Sequence, residues 1–203
     1  ITLGRPTASN TGAVNIGVAS SLYVAAITVN RGTLTVGVDG DGSIGGTGAI
    51  VVHGGGSLTV NDTTTQVTDR LRSGGTARAL TLATGTLTYN ANGTSVSTET
   101  LGNYTSTWGR NVINLNNAGL ANANLAFGTL TLSGGSSTLF GSTETLNATT
   151  HRISFSTTPG MTNGIIVRGV VKDASGTNFA SYNGTGAAGN IQAYSGYVTS
   201  PFV

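Results

Sequence analysis

The acidic residues are the first candidates for chemistry, because hydrolysis of a glycoside needs two carboxylates about 5–9.5 Å apart. The chain has seven of them: Asp39, Asp41, Asp62, Asp69, Glu99, Glu144 and Asp173. Asp39 and Asp62 lie 23 positions apart, a spacing that could stack both in one cleft if the chain repeats with that period. Basic or aromatic residues that could form sugar subsites do not accompany them. We therefore predict that the protein is not an enzyme, with a polysaccharide lyase or glycosidase as the least favoured alternative.

A metal site has equally little support in the sequence. Asp39 and Asp41 stand two apart on a glycine-flanked turn, but they offer two carboxylates where calcium takes six to eight oxygens. His53 and His151 belong to no metal-spaced pair, and the chain has no cysteine. We predict no catalytic, cofactor-binding or metal-binding residue, no cofactor, and a surface or turn position for each histidine.

The segment 40–45 matches the glycine pattern of dinucleotide-binding proteins, G-x-G-x-x-G. In those proteins a helix follows and its N-terminus holds a pyrophosphate. Here the next residues, 49–52, have the composition of a strand. With 32 glycines among 203 residues, such a match arises by chance, so we interpret it as a turn.

Four aromatic residues could form a sugar-stacking surface: Tyr104, Trp108, Tyr194 and Tyr197. Aromatic side chains also cover a core where a regular repeat ends. The second reading is favoured, because most aromatic residues of this chain lie from Phe127 onward. If the four clustered on one exposed face, a carbohydrate-binding adhesin would become the better interpretation.

Composition excludes several other classes of protein. Hydrophobic residues make up 37% of the chain and the net charge is only +2, which argues against disorder. One lysine, Lys172, and eight scattered arginines cannot build the basic stripe that nucleic acid requires. Apolar runs fall short of the roughly 18–20 residues of a spanning helix, so we predict no membrane insertion. The length suits one domain, residues 1–203.

A repeated segment of two short strands around a glycine corner indicates the architecture. Its copies span residues 26–36, 49–60 and 79–89, and the second half returns at 128–132. The four Gly-x-Leu-Thr motifs begin at Gly32, Gly56, Gly85 and Gly128. Within each copy, apolar residues alternate with threonine or serine, the period of a half-buried strand.

Strands this short cannot bury their apolar faces alone, but coils stacked about 4.8 Å apart bury a continuous column. The sequence therefore predicts an all-β fold, a single-stranded parallel β-helix (β-solenoid) of about eight or nine turns. Leu34, Leu58 and Leu87 should share one inward column, and corner glycines should supply positive φ angles. Residues 62–75, with Asp62 as a candidate helix N-cap, are expected to form a projecting loop. The asparagine-rich segment 111–117 is read as a solvent-facing turn, with a stacked amide ladder as the alternative.

These repeats resemble a known family of bacterial proteins. The Gly-Thr-Leu-Thr copies, the Val-Thr-Asp-Arg-Leu insertion at 67–71 and the blocks at 128–135, 164–171 and 176–182 are similar to the autotransporter-associated β-strand repeat proteins. The resemblance covers residues 26–198. It implies a right-handed coil, secretion to the exterior or cell surface, and a structural or adhesive role, with a surface polysaccharide as a possible ligand class. The chain shows no C-terminal membrane barrel, so self-transport through an outer membrane is not implied.

Both ends of such a solenoid expose strand edges. The sequence shows no amphipathic cap at either end, and residues 1–3 and 197–203 are largely apolar. We therefore expect the ends to be covered by another copy, giving end-to-end self-association into a filament, or by the rest of a longer chain.

Overall fold

The computed structural model describes residues 2–3, 12–17, 21–23, 25–38, 40–72, 76–117, 119 and 121–197, with the backbone alone for 2–3 and 21–23. The chain is all-β, with 52% strand and 2% helix, and its parallel coils stack into a β-solenoid of about five turns. The predicted all-β solenoid is confirmed.

The strands, in chain order, are β1 (Thr2–Leu3), β2 (Ala13–Ile16), β3 (Ser21–Tyr23), β4 (Ile27–Val29), β5 (Thr33–Val36), β6 (Ser43–Gly45), β7 (Ile50–His53), β8 (Ser57–Asn61), β9 (Leu80–Ala83), β10 (Thr86–Ala91), β11 (Ser97–Thr100), β12 (Tyr104–Asn117), β13 (Ala123–Phe127), β14 (Leu130–Leu132), β15 (Ser136–Ser142), β16 (His151–Phe155), β17 (Gly169–Asp173), β18 (Gly176–Asn183) and β19 (Asn190–Ala193).

The turns of the solenoid contribute strands to three parallel stacks, except that one turn has a loop in place of its strand in the third stack. Sheet 1 contains β1, β4, β7, β9, the start of β12 and β14. Sheet 2 contains β2, β5, β8, β10, the rest of β12, β15 and β17. Sheet 3 contains β3 and β6, then β11, β13 and β16. Strand β12 continues from sheet 1 into sheet 2 without a break, so the boundary between them is a corner rather than a loop.

Alternation along each strand decides which side chains fill the solenoid. Leu34, Leu58 and Leu87 lie in register in sheet 2 and have no exposed surface, so the predicted column is confirmed. The same column continues through Ile113, Phe140 and Val171. The buried apolar residues form one cluster, which extends along the chain from Ile16 to Ile191.

The predicted count of eight or nine turns is not confirmed. That count divided the chain by the shortest repeat spacing, whereas residues 176–193 form antiparallel strands instead of further parallel coils. The assignment of the fourth Gly-x-Leu-Thr copy is wrong. Leu130 pairs with Tyr104 in sheet 1, so this copy does not continue the leucine column of sheet 2. Its leucines are half-buried, and β14 is the last described strand of sheet 1, paired only with β12.

The corner glycines serve two different needs. Gly32, Gly54 and Gly55 have positive φ angles, as predicted. Gly85 does not, and at that corner Thr84 takes the positive φ. A Cβ atom on Gly85 would lie 2.4 Å from the carbonyl oxygen of Val52 in the preceding coil, so this glycine permits close stacking of the coils.

The C-terminal end of the solenoid is capped by its own chain, contrary to expectation. Strands β17, β18 and β19 form an antiparallel ribbon, and Tyr182 and Ile191 are buried within it. The Tyr182 ring lies 6.1 Å from that of Phe155, centroid to centroid, and its hydroxyl accepts a hydrogen bond from the Phe155 N–H at 2.8 Å. This ribbon covers the last parallel coil and protects its apolar interior.

Candidate functional site

Two of the acidic residues, Asp62 and Glu99, lie inside the solenoid, beside the loop 62–72. Asp62 and Glu99 are fully buried. Glu99 stands in register with Leu125 and Ile153 on the inner side of sheet 3, which makes it a carboxylate in an otherwise apolar row. Asp39, the other member of the candidate pair, lies outside the described residues.

Glu99 replaces a missing strand partner. The loop occupies the position in sheet 3 between β6 and β11, where the Arg70 carbonyl accepts the Ile44 N–H at 2.7 Å and the Asp69 N–H donates to the Thr98 carbonyl at 3.0 Å. The Glu99 carboxylate accepts the N–H groups of Arg70 at 2.8 Å and of Leu71 at 3.1 Å. It thereby pairs two buried backbone donors that a regular strand would have paired.

Arg70 completes this buried network from the loop side. Its guanidinium forms an ion pair with Asp62, and it donates to the carbonyl oxygens of Gly42 at 2.6 Å and of Thr65. The other carboxylate oxygen of Asp62 accepts the Tyr89 hydroxyl proton at 2.7 Å. Asp62 is therefore an internal ion-pair partner and not a helix N-cap. A loop is confirmed over residues 62–72, but the charged side chains of Asp62 and Arg70 lie inside the fold, whereas the prediction had the loop project from it.

Burial dominates the electrostatics of the network. It raises the pKa of Glu99 well above 4.5, with further contributions from Asp69 and Asp62, and the two backbone N–H groups oppose this shift. Burial and the neighbouring Asp62 carboxylate raise the pKa of Tyr89. Because Asp62 and Glu99 have no exposed surface, they cannot contact a polysaccharide from outside. The arrangement is suited to holding the loop in the solenoid.

The predicted positions of the histidines are only partly correct. His53 is half-buried at the end of β7. His151 is buried in β16, where its Nε2 lies 3.2 Å from the Asn117 side-chain nitrogen and its Nδ1 lies 3.0 Å from the Thr150 hydroxyl. The glycine pattern at 40–45 is only partly a turn, because its second half is strand β6 (Ser43–Gly45), and the next element is strand β7 instead of a helix.

The asparagine-rich segment is a strand and not a turn. Asn116 donates from its side chain to the Asn90 side-chain oxygen at 3.0 Å, and Asn90 donates to that of Asn61 at 3.4 Å. These three residues form an amide ladder on the outside of sheet 2, as the alternative interpretation allowed. Amide ladders help to fix the register of stacked strands.

The four candidate aromatic residues do not form one exposed cluster. Tyr104 is buried in the core, its hydroxyl lies 2.7 Å from that of Thr138, and burial raises its pKa to about 12. Trp108 is exposed at the corner before Gly109. Tyr194 and Tyr197 contact each other edge to face with 5.2 Å between ring centroids. The predicted role in the core is therefore correct for Tyr104. Tyr194 and Tyr197 are partly exposed to solvent.

An exposed surface at the C-terminal end of sheet 2 is the better candidate for binding. One row of outward side chains changes from polar to apolar along the solenoid. Its first members are Thr33, Ser57 and Thr86, and its later members are Val112, Leu139, Val170 and Phe179. Phe179 is 54% exposed. Because these side chains point away from the core, packing of the solenoid does not require them to be apolar.

Three adjoining grooves lie along this row. The first, of about 370 Å³, is lined by residues that include Val112, Leu139 and Lys172. The second, of about 250 Å³, shares Leu139 and includes Arg110 and Val170. The third, of about 310 Å³, lies between Val170, Phe179 and Tyr197. We call the surface formed by Arg110, Val112, Leu139, Val170, Lys172, Phe179 and Tyr197 the distal face.

Sequence reasoning found only Tyr197 of this surface. Phe179 and Val170 meet through an antiparallel pairing that the parallel repeat does not indicate. The alternation of residues along a strand could have identified part of it. Val170 and Lys172 stand on either side of the inward Val171, so both must point outward.

The comparisons with known proteins add no relative: neither the family models, nor the curated proteins, nor the solved structures gave a match. The described part of the chain contains no helix long and apolar enough to cross a membrane. Among the described residues, no group of three or more His, Cys, Asp or Glu side chains could hold a metal ion.

Proposed function

We propose that this chain is a non-enzymatic structural β-solenoid of the bacterial exterior or cell surface, with a right-handed coil. The observation that carries the proposal is the continuous inner column of sheet 2, from Leu34 to Val171. A stack of this kind makes a stiff rod, because each coil contacts only its neighbours through a full set of strand pairs. The buried polar network around Arg70 supports the same role, since its carboxylates bind backbone N–H groups, an arginine and a tyrosine of the loop region.

The exterior location is proposed from composition and from the resemblance to autotransporter-associated repeats. Only 8% of the residues are charged and the chain has no cysteine. The C-terminal cap restricts self-association to the other end, where Ala13, Val14 and Asn15 of β2 are exposed. We therefore propose association of two copies through their N-terminal ends in place of an unlimited filament.

Light scattering coupled to size-exclusion chromatography of the chain at micromolar concentration tests this assembly. We expect a monomer or dimer that does not grow over days. Ile191→Asp opens the C-terminal cap and should produce growing particles, whereas Val96→Asp adds the same charge at a 64% exposed position and should not. Growth of the unmodified chain into filaments would contradict the proposed arrangement.

The absence of enzymatic activity is tested separately. The chain is incubated with neutral and uronate-containing polysaccharides, and new reducing ends and unsaturated uronate products are measured. We expect neither. Release of either product, lost in a variant of an exposed acidic residue such as Glu144→Gln, would establish an enzyme and contradict the proposal.

A second candidate function is carbohydrate binding. It is favoured by the exposed rings of Phe179 and Tyr197 beside a groove, because an aromatic ring can pack against the apolar face of a sugar ring. This function is compatible with a structural solenoid, as an adhesive surface on a rod.

A further inference from the structure

We propose that the distal face binds a linear anionic polysaccharide along the axis of the solenoid. The proposal rests on the second candidate function and specifies its site and its ligand class. Its basis is the combination of aligned grooves, exposed aromatic rings and exposed cations on one outer face of sheet 2.

The geometry suits an extended ligand. The row from Val112 to Phe179 crosses four neighbouring strands, and at about 4.8 Å per strand it is about 14 Å long. Two of the grooves share Leu139 and two share Val170. A ligand can therefore lie across the strands without leaving the apolar row.

The charge of the surface selects an acidic ligand. Arg110 and Lys172 are exposed on the outer side of β12 and β17 and line two of the grooves. The one carboxylate among the groove residues, Asp173, is only 9% exposed and accepts the Leu146 N–H at 2.9 Å and the Ser175 N–H at 2.9 Å, so it presents little surface to a ligand. Glu144 is exposed and follows Thr143, a lining residue of the first groove, so one exposed carboxylate opposes the two exposed cations. Two exposed cations close to an apolar row complement the carboxylates and the ring faces of a polyuronate.

An extended peptide fits this surface less well. Peptides commonly join a sheet at a free edge, where backbone groups supply the affinity. Most of the distal face offers no free edge, because β12, β15 and β17 are each paired on both sides; only β18, which carries Phe179, has its first residues paired on one side, with β17. Recognition must therefore come from side chains, and those present are rings, cations, and the hydroxyl and amide groups of Thr143, Asn114 and Asn178.

Binding to alginate, a linear polyuronate, and to neutral dextran of similar length tests the proposal by isothermal titration calorimetry. We expect binding to alginate alone, weakened by salt because the contacts are exposed. Lys172→Gln and Arg110→Gln should each weaken it about threefold. Phe179→Ser should weaken it by about five- to tenfold through loss of ring contact.

The matched control is Arg31→Gln, which removes one exposed cation from the other end of sheet 2. We expect it to change the affinity by less than about 1.5-fold. An equal effect of Arg31→Gln and Lys172→Gln would overturn the proposal, since binding would then follow net charge. Equal binding of dextran would also overturn the proposal. So would full competition by polyglutamate combined with no effect of Phe179→Ser, because these two results would assign the surface to acidic peptides.

Melting curves verify that each variant is folded, and a variant that does not fold is replaced by Val170→Thr, which keeps the shape of the row while making it polar. The result is independent of the oligomeric state and of the search for reaction products. If the protein shows no growth and no enzymatic activity but does not bind alginate, the proposed structural function stands and only the proposed binding site is contradicted.

Discussion

Arg70 and Asp62 form an ion pair in which neither side chain is exposed to solvent. The pair lies where the third turn of the solenoid has a loop in place of a strand. Its partners on both sides are backbone carbonyls and the Tyr89 hydroxyl. The charges therefore satisfy the polar groups that the missing strand leaves inside the fold.

Removing one member of this pair should be strongly destabilising. Arg70→Met leaves the Asp62 carboxylate buried without its counter-ion, and we expect the free energy of unfolding to fall by about 3–5 kcal/mol. Arg72→Met is the control, because its ion pair with Asp69 is partly exposed and should contribute less than about 1 kcal/mol. Urea unfolding measures both. Equal losses in the two variants would show that the buried network does not hold the loop.

The raised pKa of Glu99 predicts a specific dependence of stability on pH. The folded state keeps the proton of Glu99 at pH values where the unfolded chain has lost it, so the contribution of this group is complete below about pH 4.5 and is lost as pH rises through the folded pKa. Glu99→Gln cannot ionise and should be less sensitive to pH above 4.5. Thermal melts of both proteins from pH 4 to pH 8 compare the slopes; parallel curves would contradict the prediction.

The regular coils could be predicted from the sequence because each contains the same glycine corner and the same alternation of apolar and polar residues. Leu58 and Leu87 follow the same glycine corner at the same offset, and alternation assigns both to the inside. Glu99 could not be placed in this way, since strand Ser97–Thr100 contains no apolar residue to mark its inner face. Its position depends on pairing with Leu125 in the next coil. The distal face was missed for a related reason, because it forms where the parallel repeat ends and antiparallel pairing begins.

The inward column should not tolerate a charge. Leu58→Asp would place a carboxylate between Leu34 and Leu87, and we expect it to cost about 3 kcal/mol or more. Thr59→Ser, on the outer side of the same strand, should cost about 0.5 kcal/mol or less. Denaturant unfolding followed by circular dichroism measures the difference, and similar costs would show that the inner and outer faces of β8 are assigned wrongly.

The corner glycines allow steric and conformational costs to be separated. Gly85 has no positive φ, but a Cβ there would lie 2.4 Å from the Val52 carbonyl oxygen. Gly55 has φ +83° with open space around it, and Gly134 has open space without a positive φ. We expect Gly85→Ala to cost about 1–3 kcal/mol through forced separation of two coils, and Gly55→Ala about 1–2 kcal/mol through its backbone conformation.

Gly134→Ala should be close to neutral, because neither cost applies at that position. The two destabilised variants should also differ in hydrogen exchange. Gly85→Ala should raise the exchange rate of backbone N–H groups in the coils on both sides of the corner, since their strand pairing is pushed apart. Gly55→Ala should affect only the turn that contains it. If Gly85→Ala were as mild as Gly134→Ala, the coils would not need glycine for close stacking, and the recurrence of the Gly-x-Leu-Thr motif would have to be explained by turn conformation alone.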